Sequence, residues 1–394
     1  MRILMVLYLR FPPDIRVEKE AKSLIKEGHD IYLIALSNTK KEYFEKINNI
    51  NVIYLKRYLL DRIMYRFNYI NYVLVKKICE VIKKYQIEII HVHDLPLVKT
   101  GVVAAKIHKI PIIADLHENY PAYLALTKKR GIKKLIFNLF FNQKRYRAYE
   151  LSILKQVNKI ILVTQEGLER FRSKISLDKF KIISNVVDKD RFPDLGLDKI
   201  LQEKYENKFI VSYIGTVARH RGLDTTINAL KFLKNKNIRL LIVGATEEKK
   251  QNLINLAKRQ GVNNLMDIIG WVSFNEMIQY VKVSDVGLIP HNATEHTNTT
   301  IPHKLFHYLY LKRPVLVSDC KPLKRIVEDT KSGLIFKAND SKHMAKKLSE
   351  LYELSKNNKL KEYGINGYNA VIHKYNWENE SKKLILLYKE FNKE

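Results

Sequence analysis

The sequence predicts an α/β protein made of two doubly wound domains in tandem. Short, continuous runs of apolar and β-branched residues alternate with longer amphipathic segments, the pattern of parallel strands covered by helices on both faces. The series runs once through the first half of the chain and restarts in the second. At 394 residues the chain is also too long for one compact core, so two domains of similar size are expected.

In the first half the expected strands are RILMVLYL, DIYLIAL, NVIYL, EIIHVHD, PIIADLH, KIILVT and KIISNV. The opening MRILMVLYLRFPPD has an apolar run too short for a membrane span, stops at a Pro-Pro pair and lacks a small-residue cleavage site, so it reads as a first strand. RVEKEAKSLIKEGH is an amphipathic helix with a Gly28-His29 stop. The second series is FIVSYIGT, RLLIVGAT, MDIIGWV, VGLIPH, PVLVSD and GLIFKA. Between the series, DKDRFPDLGLDKILQEKYEN carries proline, glycine and charge and reads as a linker, with the domains meeting near residues 188 to 207.

Composition sets further bounds. A hydrophobic content of 46% with 28% charged residues belongs to a folded, soluble protein. The formal charge of +29 suits a nucleic acid, an anionic membrane surface or a polyphosphate substrate, unless it is lysine on solvated faces. No zinc-finger, basic-zipper or aromatic RNA-binding signature is present, which argues against nucleic acid. Cys79 and Cys320 match no metal or redox spacing and fit a reduced, cytoplasmic setting. The expected localisation is cytoplasmic, with peripheral association at the inner face of the cell membrane as an option.

In doubly wound sheets the ligand sits outside the carboxyl ends of the strands. The residues there are His91, His93 and Asp94; Asp115, His117 and Glu118; Gly215 through Gly222; Gly244; His291; and the stretch TNTTIPHKLFHYLYLKRPVLVSD. YIGTVARHRGLDTTINAL places Arg219, His220 and Arg221 beside a helix start, with glycine spacing that fits neither a Walker loop nor G-x-G-x-x-G. In the later stretch Thr299 and Thr300 are expected to cap a helix with Pro302 in its first turn, and His303, Lys304 and His307 add donors within about one turn. Two anion sites in one domain suit a diphosphate. A metal site from His93, Asp94 and His117 is conceivable, but H-x-H is a weak signal and such histidines more often hydrogen-bond.

These motifs resemble the retaining GT-B glycosyltransferases of family 4. The resemblance rests on SNVVDKDRF, on YIGT followed by basic residues and glycine, on PHKLFHYLYLKRPVLVSD, and on FPPDIRVEKEAKSLIKEGHDI and DLHENYP in the first half. YNWENESKKLILLYKEF resembles that family's final helix, which crosses back onto the first domain. The implied organisation is an acceptor-binding Rossmann-like domain over 1–187, a nucleotide-sugar-binding Rossmann-like domain over 188–372 facing it across a cleft, and a returning helix over 373–394.

The resemblance implies a retaining transfer of a sugar from a nucleoside diphosphate sugar to an acceptor hydroxyl, with no metal and no other cofactor. Arg221 takes the place of the phosphate-binding lysine, Arg219 substitutes for an arginine absent at Thr216, and His117 falls where a histidine lies near the sugar and diphosphate. Gly215, Thr216, Gly244, Thr299, Thr300, Ile301, Lys304 and His307 complete the implied donor side, and Arg16, His93, Asp94 and Glu118 the acceptor side. The family's paired glutamates are replaced by Thr299 and His307, with Glu295 four residues upstream of Thr299. Histidine can still hydrogen-bond a ribose hydroxyl. His117, Arg221 and Lys304 are the expected catalytic residues.

TKKRGIKKLIFNLFFNQKRYR reads as a basic amphipathic helix, with Ile132, Leu135, Ile136, Leu139 and Phe140 on one side and Lys128, Lys129, Arg130, Lys133 and Lys134 at its start. It either packs on its own domain or meets an anionic membrane, in which case the acceptor is a lipid-linked saccharide of cell-envelope polysaccharide assembly. The alternatives are a GT-B-fold sugar-nucleotide epimerase, a non-catalytic polyanion- or membrane-binding protein and, last, a metal-dependent hydrolase.

Overall fold

The computed structural model describes residues 1–39, 41–56, 68–126, 142–233 and 237–392. The basic amphipathic segment expected over residues 128–140 lies outside them. The chain divides into two compact units, Met1–Ser184 with Glu380–Glu394, and Asn185–Asn379.

The first unit holds an eight-stranded sheet in the order β3-β4-β2-β1-β5-β6-β7-β8. Its strands are β1 (Arg2–Arg10), β2 (Asp30–Leu36), β3 (Tyr43–Ile47), β4 (Ile50–Leu55), β5 (Ile89–His93), β6 (Ile112–Leu116), β7 (Lys159–Leu162) and β8 (Phe180–Ile182). All pairs are parallel except β3–β4. The central strands β5 and β6 are buried throughout, including the polar His91, His93 and Asp115 toward their carboxyl ends. Strand order reverses between β1 and β5, so the crevice of this unit opens where Arg10 and His93 end their strands.

Two details depart from the sequence expectation. The antiparallel edge strand β3 was not expected; it is mostly exposed and joins β4 through Asn48 and Asn49, both at positive φ. Asparagine tolerates that conformation, and a two-residue turn of this kind makes a hairpin. The strand expected from KIISNV is only three residues long, because the chain leaves the sheet after Ile182.

The second unit holds a fully parallel six-stranded sheet, β11-β10-β9-β12-β13-β14. The strands are β9 (Phe209–Ile214), β10 (Ile238–Val243), β11 (Met266–Ile269), β12 (Val286–Ile289), β13 (Val315–Ser318) and β14 (Gly333–Phe336). Here order reverses between β9 and β12. The segment expected as a plain linker contains the helix Lys199–Tyr205, capped by the Asp198 side chain, before β9 begins.

The helix Lys304–Tyr310 crosses this reversal point with Leu305, Phe306, Tyr308 and Leu309 buried. It can lie that close because position 287 on β12 is glycine: a Cβ there would stand 2.3 Å from the Tyr308 ring. The Tyr308 hydroxyl donates to the Ser212 carbonyl of β9 at 2.7 Å, which fixes the helix along the strand.

The helix Trp377–Lys389 leaves the second unit and joins the first from Glu380 onward. Glu380 accepts from the Ser184 backbone N–H at 2.8 Å. Further along, the Tyr388 hydroxyl is 2.7 Å from His91 Nδ1, both side chains being fully buried. Tyr388→Phe should lower the unfolding free energy by about 1–3 kcal/mol, because it leaves a buried imidazole nitrogen unpaired. Denaturant melts that superimpose on wild type would contradict this.

Candidate functional site

In the second unit the site is built from the segments immediately after β9 and β12. After β9 the chain turns through Gly215, makes a tight turn over Arg219–Arg221 and enters the helix Leu223–Leu230 at Gly222. Gly222 has φ 69°, and a Cβ there would come within 1.7 Å of the Pro290 carbonyl oxygen, so only glycine lets the two post-strand segments touch. Asn292 locks them together: its N–H donates to the His220 carbonyl at 3.0 Å and its side-chain amide to the Arg219 carbonyl at 3.1 Å. Gly244, at the end of β10, packs its backbone on that of Gly215.

Positive charge collects here. Arg221 Nη1 donates to His291 Nε2 at 3.0 Å, while Arg221 Nε is buried and has no hydrogen-bond partner. Lys304 Nζ lies 3.6 Å from the centre of the Tyr213 ring and 3.2 Å from the place a Gly215 Cβ would take. Burial, then the charge of Arg221, hold the Lys304 ammonium well below its ordinary pKa. The same two causes, in that order, push His291 far down and His220 to about 4, so both imidazoles are neutral. No carboxylate figures among the groups that shift Lys304, His220 or His291. Part-buried basic groups with an unused donor, and with no carboxylate among the described residues shifting Lys304, suit an anion.

Of the residues expected on the donor side, Gly215, Thr216, Arg219, Arg221, Gly244 and Lys304 gather around the ends of β9 and β10, with Thr216 and Arg219 exposed. Ile301 is buried. Thr299 and Thr300 do not cap the helix as expected. Their hydroxyls donate to the carbonyls of Glu295 and His296 in the preceding turns, and the helix begins at His303 without a side-chain cap. Nor do the three basic residues share one target. Lys304 reaches Gly215, whereas His307 stands among aromatic rings, 5.5 Å from Phe192 and 6.0 Å from Phe274, with His303 6.2 Å from His307. His291 was expected at the end of its strand, whereas Tyr213 and Asn292 were not singled out for the site. The signal for His291 and Asn292 is polar residues immediately after the buried strand β12.

In the first unit the post-strand residues form a balanced ion network. Asp14 follows Phe11-Pro12-Pro13 and caps the helix Ile15–Lys26 by accepting from the N–H groups of Arg16 and Val17. This orients Arg16 inward, where Nε and Nη2 each donate to Asp115 at 3.0 Å, Nη1 donates to the Ile183 carbonyl at 3.2 Å, and Nε lies 3.0 Å from Glu20. Arg16 and His93, expected on the acceptor side, are therefore enclosed and support the edge from behind. Asp94, His117 and Glu118 are the partly open members.

His117 Nε2 is 3.1 Å from Asp115 Oδ2 and 3.2 Å from His93 Nδ1, and His117 Nδ1 is 3.7 Å from Asp94 Oδ1. Burial acts to lower the His117 pKa, but Asp94 and then Asp115 outweigh it and raise it to about 9. His93 is pushed down to about 3, chiefly by burial and then by His91, so it is a neutral acceptor. Asp115 stays ionised despite its burial because Arg16 and His117 face it. The trio His93, Asp94 and His117 does not converge on one ion, since Asp94 and His93 address opposite nitrogens of His117. Glu20, His91, His93 and Asp115 do bring one ligand atom each within 4.8 Å of the others. Arg16 Nε already stands 3.0 Å from both carboxylates, and a cation there would have to displace it.

The matches to known proteins agree with this architecture. Residues 15–191 match the family model described as Glycosyltransferase Family 4, and residues 198–369 that described as Glycosyl transferases group 1. An uncharacterized glycosyltransferase of Methanocaldococcus jannaschii is 25% identical, covering 94% of this chain and 92% of its own. The alpha-monoglucosyldiacylglycerol synthase of Acholeplasma laidlawii is 23% identical, covering 80% of this chain and 79% of its own. Among solved structures, Anabaena HepE in complex with UDP superimposes with a TM-score of 0.74 at 12% identity, over 99% of this chain and 100% of its own, which places the fold as GT-B. Each Rossmann-like unit thus matches its own half of one enzyme family, and the chain belongs to the family 4, group 1 glycosyltransferases.

Proposed function

We propose that the chain transfers a hexosyl group from a UDP-sugar to an acceptor hydroxyl with retention of configuration. The observation that carries this reading is the cation cluster of Arg221 and Lys304, which has an unpartnered buried donor in Arg221 Nε and no carboxylate shifting Lys304. A diphosphate supplies the two negative charges the cluster lacks. UDP is the nucleotide named for HepE, whose fold this chain shares.

In the proposed step the acceptor oxygen bonds to the sugar's anomeric carbon as the bond from that carbon to the diphosphate breaks. The acceptor proton passes to the leaving diphosphate oxygen. Negative charge grows on that oxygen, and Arg221, Arg219 and Lys304 stabilise it without a metal. His291 holds the Arg221 guanidinium in place through its neutral Nε2. His117 serves the reaction from the first unit as a charged N–H donor.

The proposed acceptor is a saccharide or lipid-linked saccharide of cell-envelope or glycolipid assembly. The net charge of +29 and the glycolipid product in the name of the Acholeplasma relative support it. Among the described residues no helix is long and apolar enough to cross a membrane, so any membrane contact would be peripheral, on the cytoplasmic side.

Arg221→Ala should lower turnover at saturating donor by more than about tenfold, the loss expected on removing a contact to developing charge. Unchanged turnover removes Arg221 from the site. At a pH between the free-state and bound-state pKa of Lys304, binding should also take up a proton. Lys304 starts with a depressed pKa, and a bound diphosphate raises it. Affinity for UDP is therefore greatest below the free-state pKa and falls as pH rises toward the bound-state value. Calorimetry in two buffers of different ionisation enthalpy measures this uptake, and Lys304→Met should abolish it. Equal apparent enthalpies in the two buffers would show that Lys304 is not the coupled group.

A further inference from the structure

Asp94 occupies a backbone conformation that side-chain-bearing residues avoid. It ends β5 and precedes the helix Leu95–His108 with φ 68° and ψ 141°, close to a region held almost entirely by glycine. An aspartate ahead of a helix normally has extended backbone and accepts from the first free N–H groups. Asp14 does so at its own helix, with φ −121° and bonds from Arg16 and Val17. The Asp94 side chain makes no capping bond, and only its backbone carbonyl accepts from the first turn, from the Leu97 N–H at 3.2 Å. The Asp94 N–H donates to the Asp115 carbonyl at 2.8 Å, which pins the strained turn to β6.

What the strain achieves is an orientation. Asp94 Oδ1 faces His117 Nδ1 at 3.7 Å, and their side chains are 30% and 18% exposed, while Arg16, Glu20, His93 and Asp115 behind them are closed to solvent. At that distance the contact is electrostatic and not a hydrogen bond, so the Nδ1 proton remains available to a ligand oxygen at the open edge.

We propose that Asp94 is a positioning residue whose backbone is held strained so that its carboxylate orients His117 and keeps that imidazole charged at the edge of the first sheet. The other groups facing His117 do not replace it. Asp115 on β6 is shared with Arg16, and Arg16 itself opposes a second positive charge. His93 on β5 is neutral, Glu20 is paired with Arg16, and Glu118 lies in the same loop as His117 with a partner of its own. Asp94 is the largest influence raising the His117 pKa, which reaches about 9, so the imidazole is charged at neutral pH and loses its proton above that value. This deepens the proposed function by assigning what sets the charge of its first-unit donor, and only the activity readout depends on that function.

Two variants test it. Asp94→Asn keeps size and backbone but removes the charge, and Asp94→Gly relieves the strain. In Asp94→Asn, the His117 imidazole resonance followed by NMR against pH should titrate roughly one pH unit lower or more, as expected on losing an opposite charge at this distance. Asp94→Gly should melt no lower than wild type, because glycine adopts this backbone freely. Both should release UDP from UDP-glucose in water at least about tenfold more slowly, with UDP affinity unchanged, since UDP binds the second unit. An unshifted His117 titration, a lower melting temperature for Asp94→Gly, or unchanged UDP release in both variants overturns the assignment. If wild type fails to bind UDP, the proposed function fails, and the titration and melting results still decide the role of Asp94.

Discussion

Positive charge with no negative partner shifting it among the described residues is the constraint around which the ends of β9 and β12 are arranged. Lys304 and Arg221 sit where strand order reverses, each brought there by a backbone approach that a side chain would block. Gly287 lets the Lys304 helix lie down on β12, and Gly222 lets the Arg221 turn touch Pro290. Two cations brought together in a partly buried place repel each other. The Tyr213 face under Lys304 offsets part of that, by about 0.5–2 kcal/mol. The neutral His291 accepts from Arg221 without cancelling its charge. The unit therefore gives up stability to hold these basic groups together, with no carboxylate among the described residues shifting Lys304.

The first unit solves the opposite problem. Its post-strand charges, Arg16, Glu20, Asp94, Asp115 and His117, nearly cancel, and most are enclosed. Such a network adds little net stability, since desolvation offsets what the ion pairs contribute, but it fixes orientation. Asp115 is its hinge, held by Arg16 on one side and addressing His117 on the other. The C-terminal helix closes it from outside through the Tyr388–His91 contact. The second unit thus holds basic groups with an unused buried donor, and the first a partly open imidazole whose charge its neighbours set.

Much of the fold could be read from the chain because parallel strands buried on both faces leave short, mostly apolar runs, as in β5, β6 and β9. What escaped was the strand without that signature: β3 is exposed and polar, and only Asn48-Asn49 marks its hairpin. The site was legible by rule more than by motif. Looking immediately after each strand found Asp94, His117, Arg221 and Lys304. It gave wrong detail wherever a side chain had two local options. Thr299 and Thr300 bond back to carbonyls four residues or fewer away, an alternative to capping always open to threonine. His307 shares a helix with Lys304, yet it lies three residues further along, beside Phe192 and Phe274. The strained backbone of Asp94 leaves no trace in sequence, because aspartate before a helix is ordinarily a cap.

The most direct test asks where donor affinity resides. Calorimetric titration of the whole chain with UDP, uridine and inorganic pyrophosphate compares one ligand with its two parts. If the Arg221–Lys304 cluster holds the diphosphate, UDP should bind at least about tenfold more tightly than uridine, as expected for charge-assisted contacts. Pyrophosphate should compete with UDP, and Arg221→Ala should weaken UDP without changing uridine. Uridine binding as tightly as UDP, with pyrophosphate unable to displace either, would contradict it.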